Sequence, residues 1–196
     1  MEEIKIGKQI WTSKNFDVVK FRNGDSVPIA KNAKEWKKAA KEGKPMMCYY
    51  LFERSGEAYY NWYAINDERG LAPEGWHIPT DEEWSILIEK CGEEENGGYA
   101  LKSKTGWDEF LDDDLNSQDG NGNDKSGFSA IPVGMCTEED GDFFGNGTQA
   151  HFWTSTDFVK GSAIDCRLFE DRNTSECKAS EKGNGYSLRL LKDSTK

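Results

Sequence analysis

At 196 residues and a formal net charge of −11, the chain has the length of a single domain and the wrong charge for a nucleic-acid binder, which needs clustered Lys and Arg against phosphates. Apolar residues make up only 36% of it, but seven Trp, seven Tyr and ten Phe restore buried area, because aromatics bury much surface per residue. No run approaches the roughly eighteen apolar residues of a membrane span, so no transmembrane segment is expected.

In chain order, residues 4–16 alternate around Gly7-Lys8 and predict a hairpin. Val18 to Val27 adds a strand that turns at Asn23-Gly24. Asn32 caps a helix from Ala33 to Glu42, with Glu35 as its capping-box partner and Gly43 and Pro45 as its stop. Met46 to Phe52 is a continuous apolar run and reads as a buried strand. Tyr59 to Ile65 is too aromatic for the surface and fits either a strand or a single helical turn.

Leu71 to Gly92 is the best-punctuated stretch. Pro73 and Gly75 mark a turn, Trp76 to Ile78 a short strand, and Thr80 a helix N-cap with Glu83 three residues on. Asp81, Glu82 and Glu83 place negative charge at the positive end of the helix dipole. Trp84, Leu87, Ile88 and Cys91 share one helical face, and Gly92 stands at the expected C′ position. A charged loop is then expected over 93–98, a short strand or turn over 99–102, and Trp107 in the core.

From Asp108 to Gly127 the chain is polar for longer than an ordinary connection, which marks the stretch as functional or mobile. Residues 127–134 predict a strand, Thr137 to Gly147 a second acidic, glycine-rich loop, and 150–155, 162–169 and 185–191 the last three strands. Two helices and many short antiparallel strands make an α+β domain covering 1–196, with no linker or internal repeat.

Candidate chemistry is sparse. Asp119, Asn121, Asn123 and Asp124 offer oxygen ligands at nearly alternate positions, as calcium loops do, with Asp112, Asp113 and Asp114 nearby; a solvated turn-rich loop is the plainer account. The EF-hand pattern is absent, since its sixth position is Asp124 and its twelfth Ala130. His77 and His151 lack metal-ligand spacing. Ser129, Thr154 and Ser155 lie at strand ends without a nucleophile elbow, and a thiol reaction would need Cys136 to meet His151. No catalytic residue is therefore assigned. The five cysteines are too far apart for zinc or redox CxxC patterns; Cys91 reads as core, and Cys166 and Cys177 could bridge two neighbouring strands, which the sequence alone does not decide. Trp62, Tyr63, Trp107 and Trp153 suit either a core or a carbohydrate platform, with the core favoured. The polar loops would rim a pocket, which makes Trp107, Asp108, Asp142 and Trp153 the candidate ligand-binding residues.

A set of short motifs in order carries a family resemblance: Ile10 to Asn15 (IWTSKN), Tyr60 to Ala64 (YNWYA), Leu71 to Trp84, Gly127 to Pro132 (GFSAIP), Phe152 to Ser155 (FWTS) and Gly185 to Arg189 (GYSLR). Together they resemble the Fibrobacter succinogenes major paralogous domain family over essentially the whole chain. The family is similar in turn to the formylglycine-generating-enzyme group, and the resemblance implies a C-type-lectin-like fold with long irregular loops. It also implies a secreted or surface-exposed protein, although residues 1–5 do not read as a signal peptide, so a cytoplasmic location is the alternative. Two departures matter. The family's usual Cys after the final Arg is Leu190 here, and Cys166 and Cys177 do not match the closely spaced pair that holds copper in the oxidase relatives. The expectation is a non-catalytic binding or adhesion module for a glycan, peptide or protein, with calcium as its candidate ion. The alternatives are a metal-dependent oxidase or sulfoxide synthase and a structural component of a cell-surface assembly.

Overall fold

The structure is a computed structural model that describes residues 1–194. Strands β1 (Glu3–Ile6) and β2 (Gln9–Thr12) form the expected hairpin, with Ile4 opposite a fully buried Trp11. The stretch 18–27 does not become a strand; it closes its turn through a single bridge, Lys20 to Ser26. Helix α1 (Ala33–Glu42) has the predicted bounds and buries Trp36 and Ala39. Asn32 Oδ1 accepts the Glu35 N–H at 3.1 Å, and Glu35 reaches past the cap to the Lys31 N–H at 2.9 Å.

Strand β3 (Met47–Tyr49) gives way to a 3-10 turn at Tyr50–Phe52, where Leu51 and Phe52 both hold positive φ (50° and 60°). Strand β4 (Ala58–Tyr60) pairs back onto β3, and α2 (Trp62–Ile65) follows at once. The aromatic run is thus part strand and part helical turn. After β5 (Trp76–His77), α3 (Asp81–Leu101) opens on a complete capping box between Thr80 and Glu83 and buries Trp84, Leu87 and Ile88.

The end of α3 departs from expectation. The helix passes through Gly92 and takes in 93–98, expected as a loop, and 99–101 of the stretch expected as a short strand or turn, with Lys102 as its C-cap. Docking explains the extension. A Cβ on Gly98 would stand 2.4 Å from the Thr174 carbonyl oxygen, so only glycine lets the helix approach this closely. Tyr99 N–H donates to the Asn173 carbonyl at 3.0 Å, and Leu101 is fully buried. Tertiary contact overrides the local breaker signal.

The polar stretch 108–127 contains a small hairpin, β6 (Phe110–Leu111) with β7 (Ser117–Gln118). The strand expected over 127–134 starts later, as β8 (Val133–Cys136), and pairs with β9 (Phe143–Asn146) inside the second polar loop. Strands β10 (Gln149–Val159) and β11 (Ser162–Phe169) form the centre of a sheet ordered β12-β11-β10-β8-β9. Strand β12 (Ser175–Glu181) has almost no apolar content; it is held by its ladder to β11, where Cys166 faces Cys177 in a disulfide. A second sheet is ordered β1-β2-β13-β5, with β13 (Leu191–Lys192) antiparallel to both neighbours.

Residues 185–190 form no ladder, because their backbone bonds go to many partners. Gly185 pairs with Cys136, Tyr186 with Tyr60, and Ser187 N–H donates to His151. The Leu188 carbonyl accepts from Phe16 and the Leu190 carbonyl from Thr12. Tyr186 through Leu190 are all buried, so this segment is a spine joining both sheets to the β3–β4 hairpin. The architecture is α+β. Among the described residues no helix is long and apolar enough to cross a membrane.

Candidate functional site

The spine carries one charge, Arg189, at 1% exposure. Its Nε donates to Asn15 Oδ1 at 2.9 Å, Nη1 to the Thr12 and Phe128 carbonyls at 3.0 and 2.8 Å, and Nη2 to the Ser129 carbonyl at 3.2 Å. The guanidinium also lies over the Phe128 ring, 4.4 Å from its centroid. Every one of these partners is neutral. Burial therefore pushes the group down to about 9, against the weaker pull of the Glu57 and Asp124 carboxylates, and it stays charged at neutral pH. Of the five N–H bonds a guanidinium carries, one on Nη2 has no acceptor among the described residues.

Arg189 lies at the floor of a cavity of about 560 Å³. Its walls are residues 13–17 after β2, residues 56–58 leading into β4, and the irregular segment 127–131. Asn15 links these walls: its Nδ2 donates to Glu57 Oε2 and to Ser187 Oγ, both at 3.3 Å. The far wall is strained. Ser129 and Asp124 have φ of 51° and 48°, and the Asp124 carboxylate accepts both the Ser129 N–H and the Ser129 hydroxyl. Non-glycine residues in this region cost about 1–3 kcal/mol each and gather at ligand sites more often than elsewhere. Glu2, Asp17 and Glu57 give the cavity an acidic mouth beside Lys14, so it presents donors below and acceptors above.

The residues singled out in the sequence are dispersed. Trp107 is 4% exposed and donates its indole N–H to Ser103 Oγ and the Ala130 carbonyl. Trp153 is fully buried, bonded to the Tyr60 carbonyl and packed on Tyr186. Asp108 is exposed, and its N–H donates to Gly147. Asp142 is also exposed, at the turn before β9, where Gly141 adjoins Ala33 of α1. Trp62 is buried beneath the Lys182 ammonium.

In the acidic loop each side chain serves its own backbone. Asp119 Oδ1 accepts from Asn121, Asn121 Oδ1 from the Trp107 N–H, Asn123 Oδ1 from Lys125, and Asp124 from Ser129. Asp112 caps the β6–β7 turn through Asp114 and Asn116, and those bonds hold its carboxyl below the usual range. Among the described residues no group of three His, Cys, Asp or Glu is gathered as a metal site.

Both histidines are engaged elsewhere. His77 lies between Asp193 (2.6 Å) and Glu83 (3.1 Å). His151 bonds Asp165 and Gln149, each at 3.0 Å, and stacks on Tyr186. Cys136 packs instead with Cys48, Tyr59 and Trp36.

The cavity residues Arg189, Asn15, Glu57 and Ser129 did not emerge as a site from the sequence. One signal was there to find: a lone Arg inside the apolar run GYSLRLL marks a buried, hydrogen-bonded charge.

Comparison with curated proteins and with solved structures finds no match to this chain. The model of one protein family does match, from residue 4 to residue 192, and by that extent the chain belongs to the Fibrobacter succinogenes major domain family.

Proposed function

We propose that this domain is a non-catalytic binding module and that its ligand enters the cavity over Arg189. The observation that carries the reading is the buried guanidinium with one donor left over at the floor of a polar cavity. Donors below and carboxylates at the mouth suit a hydroxyl-rich or zwitterionic group, such as a saccharide or a peptide end. Recognition from loops on a rigid scaffold supports this reading, because the walls are formed by short segments between the strands, set around the spine that carries Arg189. Trp107 and Trp153 act as the core beneath the loops rather than as a platform. A calcium ion, if bound, would draw on the oxygens of the 119–124 loop, at the cost of the turn bonds they now accept.

We further read the fold as C-type-lectin-like. Support comes from a chain whose first strands and last strand share one sheet, with two helices of eight residues or more and long loops held between. The Cys166–Cys177 disulfide supports a secreted or surface location, since such bonds persist in oxidising compartments.

The test is a glycan array and a peptide-terminus library probed with the wild-type chain and with Glu57→Gln and Asp17→Asn. Hits are expected to weaken at least tenfold in both variants while Tm is unchanged. Hits indifferent to both variants but lost in Leu51→Asp or Phe144→Asp would move recognition to those exposed apolar side chains and overturn the cavity reading.

A further inference from the structure

Cys48 and Cys136 are both 0% exposed and stand as thiols, 88 positions apart in sequence. The fold brings them to one place by a route that can be followed residue by residue. Cys48 is the cross-strand partner of Tyr59. The Tyr59 ring lies 5.6 Å from that of Phe143, and its hydroxyl donates to the Val133 carbonyl at the start of β8. Phe143 is in turn the cross-strand partner of Cys136. Strand β8 therefore crosses the face of the β3–β4 hairpin that Cys48 occupies, and both cysteines belong to one small cluster with Ala30, Trp36 and Tyr59. Both thiols lie within that cluster; burial first and the Cys136 thiol second push the Cys48 thiol well above its ordinary range.

We propose that Cys48 and Cys136 are the reduced form of a second disulfide, one that ties the β3–β4 hairpin to strand β8 of the five-stranded sheet. The oxidant is an external disulfide, of the glutathione class or on an oxidoreductase. One protein thiolate attacks it and releases a first thiol; the second protein thiolate attacks the mixed disulfide and releases another. Two protein S–H bonds and one external S–S bond are lost, and one protein S–S bond and two external thiols are formed. Full burial places the exchange before β8 closes over the hairpin, during folding. The same geometry leaves Cys91, half-buried on α3, as the remaining thiol. The proposal does not depend on the ligand cavity.

The test is to refold the reduced, denatured chain in a glutathione redox buffer, alkylate it in denaturant, and map it by mass spectrometry without reduction. One alkylated cysteine, Cys91, is expected, with a cross-linked peptide pair holding Cys48 and Cys136 beside the pair holding Cys166 and Cys177. The Cys91→Ser variant, which cannot mispair through that thiol, is expected to show no alkylation at all. Alkylation of both Cys48 and Cys136 in the refolded variant, glutathione adducts on either, or their pairing with other cysteines would overturn the proposal.

Discussion

Asp165 and Arg189 are both removed from solvent, at 0% and 1% exposure, yet their surroundings differ. Burial pushes the Asp165 carboxyl up, but hydrogen bonds from His151 and Arg167 outweigh it and hold the group below its usual range. Arg167 grips both carboxylate oxygens at 2.9 and 3.0 Å and continues to Ser180, which Tyr186 also reaches. That region is a closed network in which charge answers charge. Arg189 has only neutral acceptors, a spare N–H and a cavity in front of it. The first arrangement is what a structural ion pair requires, and the second is what a site awaiting a polar ligand would look like.

The largest expected effect breaks the closed region. Asp165→Asn leaves Arg167 without its counter-charge and should cost about 3–5 kcal/mol in urea unfolding. Asp165 has a depressed folded pKa, so its stabilisation is present above the unfolded value near 3.8 and fades as pH falls through the folded one. The variant should therefore lose less stability than wild type on acidification below about pH 5. Next, Arg189→Met strips the donors from two buried carbonyls and one part-buried one, for about 2–4 kcal/mol by the same measurement. A cost for Arg189→Met above that of Asp165→Asn would break the comparison, because it would make the open site the more structural of the two.

A third buried charge sharpens it. Lys102 is 1% exposed, and its ammonium donates to the Phe169 and Arg172 carbonyls at 3.1 and 3.2 Å. Burial depresses it to about 8, despite the pull of Glu170 and Asp171. Between the folded and unfolded values the unfolded chain binds the extra proton, so stability should rise with pH from about 8 to 10. Relative to Lys102→Met, wild type should gain about 1.4 kcal/mol per pH unit across that window, a difference in which the tyrosines and thiols cancel. The smallest effect lies in the acidic loop. Asn121→Ala removes the acceptor for the Trp107 N–H and should cost about 1 kcal/mol. A rise in Tm on adding calcium, lost in Asp119→Asn, would mark that loop as an ion site as well as a set of turns.

What the sequence showed, and what it hid, follows the range of the forces involved. Helix α1 and the start of α3 were legible because caps and first-turn charges act within one turn of chain. The end of α3 was hidden, since the contact that lets the helix run past Gly92 comes from residues 173–174. Strand β12 was hidden too: SECKASE has no apolar alternation, and its neighbour alone makes it a strand. The cavity is the extreme case. Its walls come from three stretches spread over more than a hundred residues, and only the out-of-place charge of Arg189 hinted that they meet.

The spine at 185–190 also sets a schedule. Five regions of the molecule complete their backbone pairing only on this late segment, so none of them can reach native form while it is still inside the ribosome. At elongation rates of about 5–20 residues per second, Trp11 waits roughly 10–40 s for this segment and Trp153 roughly 2–7 s. A stall before this segment emerges would leave those aromatics uncovered and the chain open to aggregation and proteolysis.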